Sequence, residues 1–243
     1  MTIYRYLISL ATVAALALGL AAALPAARAE AGEPLVVVEL YTSQGCSSCP
    51  AADAFLGELL AMRSDILGLE FHVDYWDNLG WKDSFSSAES TARQRAYAKA
   101  LGLTYVYTPQ MVIQGTLQAT GSDRETIQDQ IGDARKLPRI DVELTRNDKA
   151  LQITLGKISH PVKADVFMVV FDKEHTTKVK RGENRGETIT NRNVVRTLKR
   201  IGSWRGNAAN LSTTLDENGD ACAVIVQSRD SGTILGAATM ALN

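Results

Sequence analysis

Two cysteines separated by two residues, in Cys46-Ser47-Ser48-Cys49-Pro50, lie where an apolar strand pattern from Leu35 to Tyr41 gives way to a helical pattern opening at Ala51. A helix start presents unpaired backbone N–H groups and the positive end of the helix dipole. It therefore stabilises a thiolate and brings a cysteine pKa from about 8.5 into roughly the 3.5–7.5 range. Only the thiolate attacks a disulfide, and a second cysteine one turn further on, Cys49, can displace the first from a mixed disulfide. The spacing points to reversible thiol–disulfide exchange with no organic cofactor. The competing readings of a lone CxxC are half of a zinc site, a copper-carrying pair and a static disulfide. A structural zinc site needs a second pair of ligands at suitable spacing, whereas Cys222 is solitary and His72, His160 and His175 are scattered.

Residues 1–29 read as an export signal: Arg5 supplies a positive start, Leu7 to Leu24 is apolar and alanine-rich, and Ala27-Arg28-Ala29 fits a small-x-small cleavage site. The alternative is an uncleaved membrane anchor. Cleavage leaves 214 residues with 24 basic against 27 acidic side chains, a formal charge of −3, which gives no reason to expect nucleic acid and leaves no membrane span. An exported protein, periplasmic or secreted, meets oxidised partners, because disulfides persist outside the cytosol. With Cys46 and Cys49 paired, Cys222 is left over within Ala221-Cys222-Ala223-Val224-Ile225-Val226. It reads as a buried small hydrophobe in a strand or as a further resolving thiol.

Two regions must position the motif. In residues 30–137 strand and helix patterns alternate. Val36, Val37, Val38 and Leu40 form a strand, and Ala52, Phe55, Leu56, Leu59 and Leu60 recur at helical spacing. Leu67 to Val73 is a second strand, and Ser86 with Glu89 caps a helix that runs to Ala100 and stops at Gly102. Met111 to Ile113 and Thr116 to Ala119 form a hairpin after Tyr107-Thr108-Pro109, and Asp123 to Ala134 is a last helix. In residues 138–243 period-2 runs take over: Ile140–Arg146, Ala150–Gly156, Ala164–Phe171, Thr176–Lys180, Val194–Ile201, Leu211–Leu215, Cys222–Gln227 and Thr233–Ala241. Residues 193–204 also admit a helix. The expected architecture is an α/β domain followed by a smaller antiparallel β-rich, sandwich-like domain.

The stretch from Leu35 to Ala134 resembles a thioredoxin-like fold, through the CxxC between first strand and helix and the Thr-Pro before a later hairpin strand. The resemblance implies that Cys46 is the attacking cysteine, Cys49 the buried resolving one and Pro109 a cis-proline, with the Thr108 backbone pairing to a bound substrate strand. Gly45 replaces the usual tryptophan, and Ser47-Ser48 the usual Gly-Pro. Copper-carrying relatives of this fold space the cysteines by three residues and place a histidine near the proline loop. Here the spacing is two and no histidine lies near Pro109. Glu39, seven positions before Cys46, approximates the buried acid of thioredoxins, which moves protons for the resolving thiol. Its plainer reading is a carboxylate at a strand end that is solvated or paired with a lysine such as Lys82. More closely, Tyr-Thr-Ser-Gln-Gly-Cys-Ser-Ser-Cys-Pro, His-Val-Asp-Tyr-Trp-Asp and Arg181-Gly182-Glu183-Asn184-Arg185-Gly186 resemble the secreted bacterial family known as domain of unknown function 1223.

The expected partners are protein thiol or disulfide clients and a redox partner protein. Residues 173–205 hold ten Lys or Arg and three Glu. Such a run is usually a solvated face; its alternative is docking against an acidic partner or anionic lipid. Trp76 and Trp81 read as packing or as the lining of a client groove.

Overall fold

The structure is a computed structural model that describes residues 34–215 and 218–242; the expected export signal lies outside them. The chain runs β1 (Val36–Thr42), α1 (Cys49–Met62), β2 (Ile66–His72), α2 (Ala88–Ala100), β3 (Gln110–Ile113), β4 (Leu117–Thr120), α3 (Arg124–Ala134), β5 (Val142–Asn147), β6 (Ala150–Leu155), β7 (Ala164–Lys178), β8 (Thr188–Trp204), β9 (Ala209–Thr214), β10 (Ala221–Ser228) and β11 (Ile234–Ala241). Eight strands form one mixed sheet in the order β11-β10-β7-β8-β2-β1-β3-β4, and β5-β6-β9 form a separate antiparallel sheet.

This corrects the expected architecture. The protein is not an α/β thioredoxin-like fold followed by a sandwich-like domain, because 43% of the described residues are in strands against 18% in three helices, and the large sheet runs through both sequence regions. The join is a short parallel pairing of β2 with β8 at Glu70 and Val194. Polar bonds reinforce it: the Arg192 N–H donates to Glu70 Oε1 at 3.0 Å and Asn193 Nδ2 to the Gly68 carbonyl at 2.8 Å. Hydrophobic periodicity identifies strands but says nothing about which strand lies beside which, and a polar seam leaves no apolar signature. Residues 193–204 are strand rather than helix, and the two strands expected in 164–180 are one, β7.

Side-chain alternation sorts the core. Val36, Val38 and Leu40 of β1 pack with Phe55, Leu56 and Leu59 of α1 and with Ile127 and Ile131 of α3. Val37 and Tyr41 face the other way, towards Tyr97 of α2, in a cluster that continues into Val169, Ala223 and Ile225. Alternate residues of β7 and β10, among them Val166, Met168, Cys222 and Val224, pack with Leu144, Leu151 and Ile153 of the small sheet. Gly68 lets α1 sit close on the sheet, since a Cβ there would lie 2.7 Å from Leu56 Cδ1. Ser87 and Asp123 cap α2 and α3 by accepting the N–H groups of Ser90 and Thr126.

Candidate active site

The end of β1 turns tightly into α1: the Cys46 N–H donates to the Ser43 carbonyl and the Cys49 N–H to the Cys46 carbonyl, both at 3.1 Å. Helix α1 starts at Cys49 with Pro50 in its first turn, and has neither a side-chain cap nor an acidic residue there. Its N-terminal field is left to the sulfur. Cys46 Sγ lies 3.3 Å from Ser48 Oγ and 3.8 Å from the Thr108 carbonyl oxygen, and the Thr108–Pro109 bond is cis. Trp76 Nε1 donates to Thr108 Oγ1 at 2.8 Å, which leaves the threonine hydroxyl hydrogen available to the sulfur. The Cys49 thiol hydrogen-bonds to Cys46 and, helped by Ser48 and Thr108 against the effect of burial, lowers the Cys46 pKa from 9.0 to about 6. Burial, and then the neighbouring Cys46 sulfur, push Cys49 well above the usual thiol value. Both cysteines are free thiols.

Behind the dithiol lies a buried polar layer. By strand alternation Thr42, Glu70 and His72 face α1, and Asp53, one helical turn beyond Cys49, meets them. Thr42 Oγ1 donates to Asp53 Oδ1 at 2.6 Å and also hydrogen-bonds to Cys49. Burial, with the Glu70 charge behind it, raises the Asp53 pKa well above the carboxylate range. Glu70 is raised by burial and lowered by His72 3.6 Å away. Burial disfavours the His72 imidazolium, but Asp83 at 2.7 Å and Glu70 overcome it and push its pKa up to about 10. Locked in this way, His72 is an ion-pair partner. No group of three or more His, Cys, Asp or Glu side chains suited to a metal is found among the described residues.

A distant loop completes the site. The β7–β8 hairpin carries Asn184, which is 5% exposed and donates through Nδ2 to the carbonyls of Gln44 and Cys46, both at 2.9 Å. Glu183 Oε2 accepts from the Ser47 N–H at 3.0 Å. Gln44 is itself held by the Asp83 carboxylate on its N–H and by Trp81 Nε1 on its side chain. The two tryptophans thus pack and also hydrogen-bond, one to each wall of the CxxC turn.

Four of the five expected site residues, Cys46, Cys49, Thr108 and Pro109, come together. Glu39 does not, and its assignment is corrected. It alternates with Leu40 onto the α2 face of β1, where Arg93 pairs with it bidentately through Nε and Nη2, both at 2.7 Å, and the Tyr41 and Tyr97 hydroxyls donate to it. Cys222 is fully buried in the core beneath the small sheet, where burial raises its pKa to about 11. Asp53, Thr42, Glu70, His72 and Asn184 were missed. A signal existed for Asp53, four residues after Cys49 in a helical pattern, and for Glu70 and His72, which alternate with Leu69, Phe71 and Val73.

Fold and site define a mixed-sheet protein with an asymmetric CxxC dithiol at a strand-to-helix turn, roofed by a cis-proline loop and a long hairpin. The chain belongs to the family described as protein of unknown function (DUF1223), whose family model matches residues 37–227. A crystal structure of an Agrobacterium tumefaciens protein is similar, with 33% identity and a TM-score of 0.77 over 88% of this chain and 97% of that one. HBP35 of Porphyromonas gingivalis shares the fold at 12% identity, with a TM-score of 0.56 over 86% of this chain and 75% of that one. No functionally curated protein matches the chain.

Proposed function

We propose that the protein is an exported thiol–disulfide oxidoreductase acting on protein clients. The observation that carries this reading is the geometry of two free thiols at a helix start, with Cys46 Sγ 3.8 Å from the Thr108 carbonyl of the cis-proline loop; it displaces the two pKa values in opposite directions, Cys46 down to about 6 and Cys49 well up. It gives one nucleophile and one held in reserve at neutral pH. The Cys46 thiolate attacks a client disulfide, forming a mixed disulfide and expelling one client thiolate. Cys49 gives up its proton towards Thr42 and Asp53 and attacks Cys46 Sγ. The Cys46–Cys49 disulfide forms, the second client thiolate leaves, and two electrons have passed to the client. A dithiol redox partner reverses the same steps. At the scale of the CxxC turn and the Thr-Pro loop the site is similar to that of the thioredoxin superfamily, and a distant relationship to it is part of this reading.

The test is alkylation of the reduced full-length chain by iodoacetamide across pH, followed by peptide mapping. Cys46 is expected to react first, with an apparent pKa near 6, and Cys49 only in alkali. Cys49→Ser is expected to accumulate disulfide-linked partners through Cys46. Equal reactivity of both thiols, confined to alkaline pH, would overturn the reading.

A further inference from the structure

The basic run of residues 173–205 is not one surface. Antiparallel pairing of β7 with β8 spreads it along a hairpin, and its strand arginines are paired, Arg192 with Glu174, Arg196 with Asp172 and Arg200 with Asp165, while Lys173 and Lys199 are exposed. The cations at the tip are different. Lys178, Lys180, Arg181 and Arg185 are all exposed and have no ion-pair partner among the described residues; Glu183 and Glu187, also exposed, stand among them and leave the tip an excess of two positive charges. This is the part of the hairpin that Asn184 fastens to the Cys46 carbonyl. Arg185 is the next residue in the chain, one Cα step of about 3.8 Å away. Gly182 packs against the loop that carries Trp81 and the exposed Lys82; a Cβ on Gly182 would lie 3.1 Å from Trp81 Cβ. The cationic tip is therefore fastened to the CxxC turn through Glu183 and Asn184, so a client that docks on the dithiol also meets the tip.

We propose that this tip is the specificity edge of the dithiol site and that it selects polypeptide disulfides flanked by aspartate or glutamate. The inference deepens the proposed exchange activity and rests on it. Two features favour a polypeptide over a small di-acid. The cations are spread along eight residues of the tip, from Lys178 to Arg185, more than one small molecule's pair of carboxylates engages. Leu79, which is 57% exposed and whose carbonyl faces Gly182, offers apolar contact beside the charge. Cys46 is itself only 1% exposed, so a client docks against the residues around it, Glu183 and Asn184 of this tip among them. Cations placed at an entrance act mainly on association, raising capture of anionic partners and rejecting cationic ones, with strong salt dependence.

The experiment uses three disulfide-linked peptides identical except for aspartate, serine or lysine beside the cysteines. Each rate constant with the reduced full chain is divided by that for dithiothreitol. The aspartate peptide is expected to react about 10-fold or more faster than the lysine peptide at low salt, with the ratio collapsing towards one at high salt. Arg181→Glu with Arg185→Glu is expected to bring the ratio to one or below. A wild-type ratio near one, or a ratio unchanged in the double variant and by salt, overturns the proposal. The salt series on the wild type decides the matter even if the double variant folds poorly. The serine peptide separates the two ideas: if it reacts through Cys46 while charge has no effect, only the specificity edge fails. If it does not react at all, the exchange reading itself fails.

Discussion

Glu39→Ala is expected to lower the unfolding free energy by about 3–5 kcal/mol, because it leaves the Arg93 guanidinium buried and unpaired, while iodoacetamide still titrates Cys46 near pH 6. In the pair, Glu39 is fully buried and the Arg93 side chain is 8% exposed. Arg93 is flanked by the rings of Phe71, Tyr97 and Phe167 at 5.6, 5.1 and 5.5 Å, and Tyr97 accepts from Gln227 Nε2 at 2.8 Å. One carboxylate thus ties β1, α2, β7 and β10 together across the two sequence regions. Urea denaturation reads the stability and alkylation reads the site, so the variant separates a structural role from a catalytic one. A stable variant that resolves its mixed disulfide slowly would return Glu39 to the chemistry.

The same residue shows what was legible and what was not. The CxxC, its helix and the Thr108–Pro109 turn are local features, and local patterning found them. An acid interrupting Val36-Val37-Val38 was also visible, but its partner Arg93 lies 54 residues on, and the side of the sheet it takes depends on which face α1 covers. Asn184 is further still, 138 residues from Cys46. Its motif Arg181–Gly186 is legible as unusual, yet nothing short of the β2–β8 pairing brings it over the dithiol. The site therefore draws on both sequence regions, because Glu183 and Asn184 bond to the CxxC turn itself. Strand periodicity was visible in parts of β7 and β8, although 164–180 read as two strands and 193–204 also admitted a helix, and the pairing partner was not readable at all.

Asp53→Asn is expected to slow the resolving step about 10²-fold at neutral pH, the scale of a lost general base, while leaving the first attack by Cys46 intact. The Cys49 proton has a path, through the Thr42 hydroxyl to Asp53 Oδ1 at 2.6 Å, and the raised Asp53 pKa brings the acceptor closer to the thiol it serves. Stability should move the other way. A carboxyl whose folded pKa lies above its unfolded value of 3.8 contributes stability that is whole below that unfolded value and is lost as pH rises through the folded one. Asparagine carries no such loss, so the variant should gain on the wild type as pH rises across that window. Stopped-flow release of the second thiolate from a preformed Cys46 mixed disulfide measures the rate, and urea midpoints at several pH values measure the stability. Thr42→Val should slow the same step, since it removes the hydroxyl and keeps the volume. A residue that costs stability and speeds resolution is one held for chemistry; an Asp53→Asn protein with an unchanged second step would mean that the Cys49 proton leaves by another route.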